Sequence, residues 1–423
     1  MRVKQVKGRE MTAGLTMAAA SLTGLITVPS LLFQAGMDFT AAFMAMGAMS
    51  ILASAWLACR SLPFLALPSV PLAAWLAYVV IISQGCSWQE VLGLSALVSI
   101  TGILLFSFVR GEKLLSAVPL WLRKSLVIGL GLMLIMQGLV QGRLILASPW
   151  SAIMLGNFQD PLTYWSLMGL IVGAVLLAAR FDWALGATFL LIAGLTFMEG
   201  FWILPAAPGL LPEGLEKVVG RFALLGVWAG AHLLDFFLLG LVMLLAVTSE
   251  SWCLWQGLPH GEESPLPVLR GLAGFSLAGA FLGCLPLSLS PLSVVGWEAG
   301  GHKGRTVVAA LVALSAMWLM EPVIAELASF PALTVPLLVL PGTMLIRRQL
   351  EGFRPGCLMV EEFLPGLAGA MLMALSFNVT AGVGAGLIAR VLLFAAAGRG
   401  RELSRAEAGL SILFAVYFSV NYL

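Results

Sequence analysis

Charged residues are scarce in this chain: 21 acidic and 23 basic side chains are spread over 423 residues. Hydrophobic residues make up 60% of the sequence, and the mean hydropathy is +1.00. A soluble domain of this length has no interior large enough to hide so much apolar surface. The composition therefore excludes a soluble protein and predicts a polytopic, all-α membrane protein.

Clustered reactive side chains are also lacking. The five cysteines are scattered without a CxxC pair, which argues against a metal centre or a disulfide framework. No Ser/His/Asp array or paired-carboxylate site indicates catalysis, so we expect neither an enzyme nor a cofactor. The basic runs at 2–9 and 399–405 are typical of membrane-surface anchors that contact anionic lipids, and we expect no nucleic-acid partner.

The basic residues are distributed unevenly. If the first apolar segment starts on the cytoplasmic side of the membrane, all but four of the 23 Lys and Arg residues fall in or beside cytoplasmic segments. The exceptions are Arg143, Lys217, Arg221 and Arg390. This asymmetry predicts a cytoplasmic N-terminus and a multi-pass protein of a bacterial-type inner membrane.

Two apolar segments are interrupted by proline. Leu62–Trp75 and Leu285–Trp297 each begin Leu-Pro, carry a second proline five positions on and end at tryptophan. Irregular backbone inside a membrane is tolerated only where protein buries it or where it lines a cavity. Such a pair in corresponding halves is typical of the binding site of an inverted-repeat transporter. We therefore predict that solute binds between 68–73 and 290–298.

The apolar segments fall into two sets of seven. We predict about 14 spans as seven-plus-seven inverted repeats, with the third and tenth spans broken by short extended segments. The first repeat covers 1–203, an outer linker covers 204–219, the second repeat covers 220–398, and a cytoplasmic-side tail covers 399–423. The eighth span is predicted over Phe222–Val247, followed by an inner loop over Ser249–Arg270.

Acidic residues inside these spans are candidates for the site. Asp235 and His232 are three positions apart and share a helical face. A carboxyl beside an imidazole can exchange a proton near neutral pH, which predicts a substrate anchor that is also linked to proton movement. The alternative is a structural His–Asp pair that locks two helices together.

Glu298 lies just after the second break. It is a candidate acceptor for a ligand N–H and for the coupling proton; alternatively, its carboxylate caps the short helix that starts after Val295. Ser69 and Ser293 are candidates for lining the crossing of the two breaks with hydroxyl groups. Small residues there would equally allow two chains to pass closely.

Several stretches resemble one known family. Val28–Asp38 (VPSLLFQAGMD), the ungapped stretch Pro119–Ile145 and the Lys-Gly-Arg-Thr at Lys303–Thr306 are similar to motifs of the guanine/hypoxanthine branch of the xanthine/uracil permease superfamily. The resemblance runs almost from end to end. It implies a core domain packed against a gate domain, coupling to a cation, usually a proton, and often a homodimer.

The same resemblance implies where a purine would bind: between the half-helices of the third and tenth spans and polar residues of the eighth. The family's Asp-Leu-Phe-Asp matches His232–Asp235, so that one acid is replaced by histidine. The family's tenth-span glutamate falls near Val295, one turn from Glu298. Two family asparagines are replaced, by Val28 and by Ala73, the latter at a substrate-binding position.

We thus expect proton-coupled uptake of a purine-like nucleobase. Two alternatives remain open from the sequence. A sulfate-permease-like anion carrier has the same architecture, and its half-helix N-termini could hold an anion directly. A transporter-like membrane scaffold or sensor that no longer transports would explain the replaced asparagines.

Overall fold

The structure is a computed structural model. It describes residues 2–108, 120–148, 150–151, 153–206, 214–223, 233–258, 264–301, 304–351 and 359–422. Helices dominate these residues, as the composition predicts, and the few strands are each three residues long.

The first half contains seven helices and three strands. They are α1 (Arg2–Gln34), α2 (Phe39–Cys59), β1 (Ala66–Pro68), α3 (Val70–Trp75, continued as a π-helix over Leu76–Ser83), α4 (Trp88–Phe108), α5 (Leu120–Gln141), β2 (Ile145–Ala147), β3 (Ile153–Leu155), α6 (Pro161–Ala178) and α7 (Ala184–Met198). Helix α2 begins where the Asp38 side chain accepts a hydrogen bond from the backbone N–H of Ala41. Helix α3 begins with Pro71 in its first turn, where a missing N–H has no cost.

The second half begins after a 3-10 turn over Leu215–Lys217. It contains α8 (Leu233–Gly257), α9 (Pro265–Leu282), β4 (Leu287–Leu289), α10 (Ser293–Glu298), α11 (Gly304–Leu319), α12 (Glu321–Ala328), a 3-10 turn (Pro331–Leu333), α13 (Val335–Leu350), α14 (Val360–Ser376), α15 (Val379–Ala396), a 3-10 turn (Gly400–Glu402) and α16 (Arg405–Tyr422).

Among the described residues, eight helices are long and apolar enough to cross a bilayer. Helices α11 and α12 form a ninth candidate, bent by 84° at their junction. Two shorter apolar helices, Val70–Ser83 and Ala184–Met198, are also present among the described residues. We call the end of the bundle where α1 finishes and α2 begins the outer end, and the opposite end the inner end, following the predicted orientation.

The two proline-broken segments cross each other. Strand β1 pairs with β4 in antiparallel register, with Ala66 opposite Leu289 and Pro68 opposite Leu287. All six strand residues are buried. The prediction that these two segments meet is therefore confirmed in the fold.

Serine hydroxyls satisfy the backbone groups that the short strands leave free. The N–H of Ala66 donates to Ser54 (2.9 Å), and the N–H of Leu287 donates to Ser276 (2.9 Å). Leu289 donates to Ser251 at 3.1 Å. A buried backbone donor without a partner would destabilise the fold. These serines therefore make an extended segment possible inside an apolar bundle.

The helices pack in two groups. In one, α1 packs on α3, α10 and α11, and α4 packs on α8 and α9; in the other, α5 packs on α13 and α14. The second group depends on close backbone contact: a Cβ added at Gly131 would lie 2.7 Å from the carbonyl oxygen of Gly342. We call these the core group and the gate group.

An ion pair attaches the predicted linker segment to the start of α2. Lys217 Nζ donates to Asp38 Oδ2 at 2.8 Å. This hydrogen bond lowers the pKa of the Asp38 carboxyl below its usual value. The linker thus contacts the residue that starts helix α2.

Both boundaries of one predicted loop were wrong. The inner loop predicted over Ser249–Arg270 is shorter in the structure, because α8 continues as a helix to Gly257 and α9 begins at Pro265. The polar run Ser249–Ser251 had indicated the end of the span. In the structure Glu250 and Ser251 lie at the crossing instead, where Ser251 accepts a backbone hydrogen bond from β4.

Candidate functional site

A buried carboxyl group lies at the crossing of the broken segments. Glu250 of α8 is 2% exposed. Its side chain is within hydrogen-bonding reach of the hydroxyls of Ser69, at the start of α3, and Ser288, in β4. Its Oε2 atom has no hydrogen-bond partner among the described residues. An ionisable group at this depth indicates function, because burying it without a partner is costly.

A small cavity adjoins this carboxyl group. It has a volume of about 20 Å³ and is lined by Glu250, Ser288, Ser290 and the prolines of both breaks, Pro68 and Pro291. A cavity of this size has room for a water molecule but not for a larger ligand. A solute that reaches Glu250 must therefore come from a neighbouring space.

Such a space lies on the outer side of the crossing. A cleft of about 580 Å³ separates α1 and α3 of the core group from α5 and the 376–377 corner of the gate group. We call it the outer vestibule. It shares Val70 and Pro71 with the small cavity beside Glu250. Its volume is typical of sites for small molecules.

Three predicted site residues lie close to the crossing. Ser69 caps helix α3, its hydroxyl accepting the N–H of Leu72, and also faces Glu250. The Ser293 hydroxyl accepts the N–H of Leu65 across the crossing at 3.0 Å. Ala73 is fully buried in α3. The structure therefore gives Ser69 a position beside the carboxyl and Ser293 a contact that ties the two breaks together.

Glu298 lies away from the crossing, at the inner end. It is the last residue of α10 rather than its cap, which corrects the alternative proposed from the sequence. Its carboxylate forms ion pairs with Arg347 (2.5 Å) and Arg348 (3.9 Å) of α13. The Arg348 guanidinium also lies 3.4 Å from the ring centroid of Trp297 and donates to the carbonyl oxygen of Gly257.

These contacts join the core group to the gate group at the inner end, and we call them the inner latch. Replacing Arg348 by alanine removes its contacts with Trp297, Gly257 and Glu298 together. We expect amide hydrogen exchange across 293–301 to become about tenfold faster, because a partly desolvated cation–π contact and a charged hydrogen bond are lost. The exposed Arg401→Ala variant is the control. Equal exchange in both variants would contradict a latch role.

The predicted pair His232 and Asp235 is only partly described. His232 lies outside the described residues, and of Asp235 only the backbone, in the first turn of α8, is described. Asp235 precedes Glu250 on the same helix by a rise of about 22 Å. Both residues remain predictions. If Glu250 marks the site, they would act at the outer part of α8.

Sequence reasoning missed Glu250 because it assigned the residue to a loop. The available signal was the apolar and aromatic run that follows it, Trp252–Trp255, which is buried in the structure. That run shows that the span continues and that Thr248–Ser251 is a polar interruption within it. Among the described residues, no three His, Cys, Asp or Glu side chains come together as metal ligands.

No protein-family model matches the chain, but curated proteins do. It is 27% identical to the guanine/hypoxanthine permease PbuO of Bacillus subtilis over 98% of this chain and 96% of that protein. It is 24% identical to the adenine permease AdeQ of Escherichia coli over 96% of this chain and 92% of that protein. This chain is similar, along nearly its whole length, to purine permeases of the xanthine/uracil permease superfamily, as a divergent relative. The resemblance noted in the sequence is thereby confirmed.

Solved structures support the fold of this permease. The transmembrane domain of the cyanobacterial bicarbonate transporter BicA matches with a TM-score of 0.57 at 15% identity, over 90% of this chain and 97% of that one. SLC26A9 matches with a TM-score of 0.54 at 10% identity, over 93% of this chain and 66% of that one. The predicted seven-plus-seven inverted-repeat fold is confirmed, and the protein is a multi-pass membrane protein.

Proposed function

We propose that this permease is a secondary active transporter that takes up a purine-like nucleobase in symport with protons. The observation that carries the proposal is the Glu250 carboxyl group, buried between the two broken segments and beside Ser69. A carboxylate accepts hydrogen bonds from N–H groups, which every nucleobase carries. Broken helices around such a group are typical of a transporter site near the middle of the membrane.

The relatives support the choice of solute. Proteins named guanine/hypoxanthine permease and adenine permease align with more than nine tenths of this chain. The solute would descend from the outer vestibule to Glu250, and protonation of that carboxyl would be coupled to movement of the core group against the gate group. Asp235, His232 and Glu298 remain predictions for the coupling path. The inner membrane, the cytoplasmic N-terminus and a homodimer also remain predictions.

The proposal is tested with the full chain purified in detergent and reconstituted in liposomes. We expect adenine, guanine or hypoxanthine to raise the melting temperature, since a ligand at 100 times its Kd stabilises the folded state by about 2.7 kcal/mol. We expect the same purine to accumulate in liposomes only when a proton gradient is imposed.

Two results would contradict the proposal. Stabilisation and flux with bicarbonate or sulfate, but with no nucleobase, would indicate an anion carrier. A folded protein that is stabilised by none of these compounds and shows no flux would indicate a scaffold or sensor.

A further inference from the structure

The outer vestibule is lined by polar atoms whose hydrogen bonds are not made. Thr27 Oγ1, Gln137 Oε1 and Gln141 Oε1 are buried and have no hydrogen-bond partner among the described residues. All three side chains line the vestibule. Buried polar atoms without partners destabilise a fold and are few in native proteins. Of the thirteen such atoms among the described residues, these three belong to side chains that line one cleft, and a ligand bound there would supply their missing partners.

The two glutamines are placed to act together. They are four residues apart near the outer end of α5, so both side chains project from one face of that helix. Helix α5 belongs to the gate group, whereas Ser69 and Glu250 belong to the core group. Each carboxamide offers an N–H donor pair and a carbonyl acceptor. The vestibule thus has both donors and acceptors on its gate wall.

Aromatic side chains supply flat surfaces in the same cleft. Trp75 and Tyr78 of the broken third span and Phe377 of the gate group line it. The Tyr78 hydroxyl donates to Gln34 Oε1 at 2.8 Å, which fixes the position of that ring. Bases stack on aromatic faces whatever polar groups they carry on their edges. These rings would therefore hold a planar solute without discriminating among purines.

We propose that Gln137 and Gln141 read the hydrogen-bonding edge of the base in the outer vestibule and set the discrimination between 6-aminopurines and 6-oxopurines. The inference rests on the nucleobase function proposed above and adds to it the residues that select the solute. A carboxamide pairs with the N6 donor and N7 acceptor of adenine. The two acceptors of a 6-oxopurine, O6 and N7, instead require donors, which two amides can supply.

Selectivity arises because an amide orientation that pairs with the edge of a 6-aminopurine leaves the edge of a 6-oxopurine unpaired, and the reverse. A site that is built to make hydrogen bonds rejects an analogue that cannot complete them, since buried polar groups are then left without partners. The Glu250 carboxylate, by contrast, accepts an N–H that all purines have. Discrimination therefore resides in the gate group, and the shared binding contact resides in the core group.

The test measures Kd for adenine and hypoxanthine with the full-length protein and three variants. In the double variant Gln137→Met/Gln141→Met, side chains of similar length lack hydrogen-bonding groups. We expect the ratio of the two Kd values to change by at least about tenfold, the effect of one hydrogen bond made to only one of the ligands. The ligand-free protein should keep or gain thermal stability, because two unpaired buried groups are removed.

The control Gln84→Met changes an exposed glutamine next to the broken third span and should leave the ratio unchanged. The third variant, Glu250→Gln, should weaken both purines alike. A ratio within twofold of wild type in the double variant, with Glu250→Gln still weakening both purines, would overturn the role of the glutamines and leave the nucleobase function standing. Failure of the wild-type protein to bind any purine would overturn both.

Discussion

Replacing Glu250 by glutamine should abolish uptake driven by a proton gradient. The substitution keeps the shape of the side chain and its reach to Ser69 and Ser288, but it removes the negative charge and the exchangeable proton. Loss of one partner in a buried, charged hydrogen bond costs about 2–5 kcal/mol of binding free energy. We therefore expect the Kd for a purine to rise by at least about 30-fold.

Solute counterflow separates binding from coupling. In liposomes without a gradient, exchange of labelled for unlabelled purine needs no net proton movement, so Glu250→Gln should retain exchange at saturating solute while losing accumulation. The matched control is Glu216→Gln, which removes an exposed carboxylate from the outer linker. Wild-type accumulation in Glu250→Gln would rule out this carboxyl as the coupling group.

The crossing of the two breaks was predictable because it obeys internal symmetry. Aligning Leu62 with Leu285 makes Ala66 and Leu289 equivalent residues of the two repeats. The same two residues are opposite each other in the β1–β4 register. An axis that relates the repeats therefore passes between them. The spacing of the prolines reveals this symmetry, because proline removes a backbone donor and breaks the helix. Prolines at equivalent positions therefore place an extended segment at the same depth in each repeat.

The position of the acid was not predictable from the same pattern. Glu250 has no counterpart in the broken segments, and its neighbours Ser249 and Ser251 make the local composition similar to that of a loop. Only the tertiary contact of Ser251 with Leu289 explains why polar residues continue a membrane helix. Glu298 stood out in the sequence, because an isolated acid in an apolar stretch suggested a contact with a ligand. In the structure its ion-pair partners are Arg347 and Arg348, which come from a helix distant in sequence.

The replaced asparagines are consistent with this arrangement. Val28 and Ala73, at the positions of the family asparagines, are both fully buried. Hydroxyl and carboxyl groups at the crossing come instead from Ser69, Ser288 and Glu250. The polar content of the candidate site is thus carried by residues other than those that the resemblance implies, which is how a divergent relative can keep the fold with a changed site.

The contact between α5 and α13 in the gate group should be sensitive to added volume. Gly131 of α5 and Gly342 of α13 face each other, and a Cβ on Gly342 would lie 2.6 Å from the carbonyl oxygen of Gly131. The obstructing atoms belong to the backbone, which cannot rotate away as a side chain can. Gly131→Leu should therefore separate α5 from α13, at a cost of about 3 kcal/mol in the free energy of unfolding.

Gly194→Ala provides the matched control, because a Cβ at that position meets no atom within 4 Å. Alanine there should leave the melting temperature unchanged or raise it slightly, since alanine favours helix over glycine by about 1 kcal/mol. Thermal unfolding in detergent measures both variants, and uptake is assayed beside it. A gate group whose two main helices are forced apart cannot move as one body against the core, so Gly131→Leu should lose transport along with stability. Wild-type melting of Gly131→Leu would show that α5 and α13 are not held by this contact, and the gate group would then have to be defined by other packing.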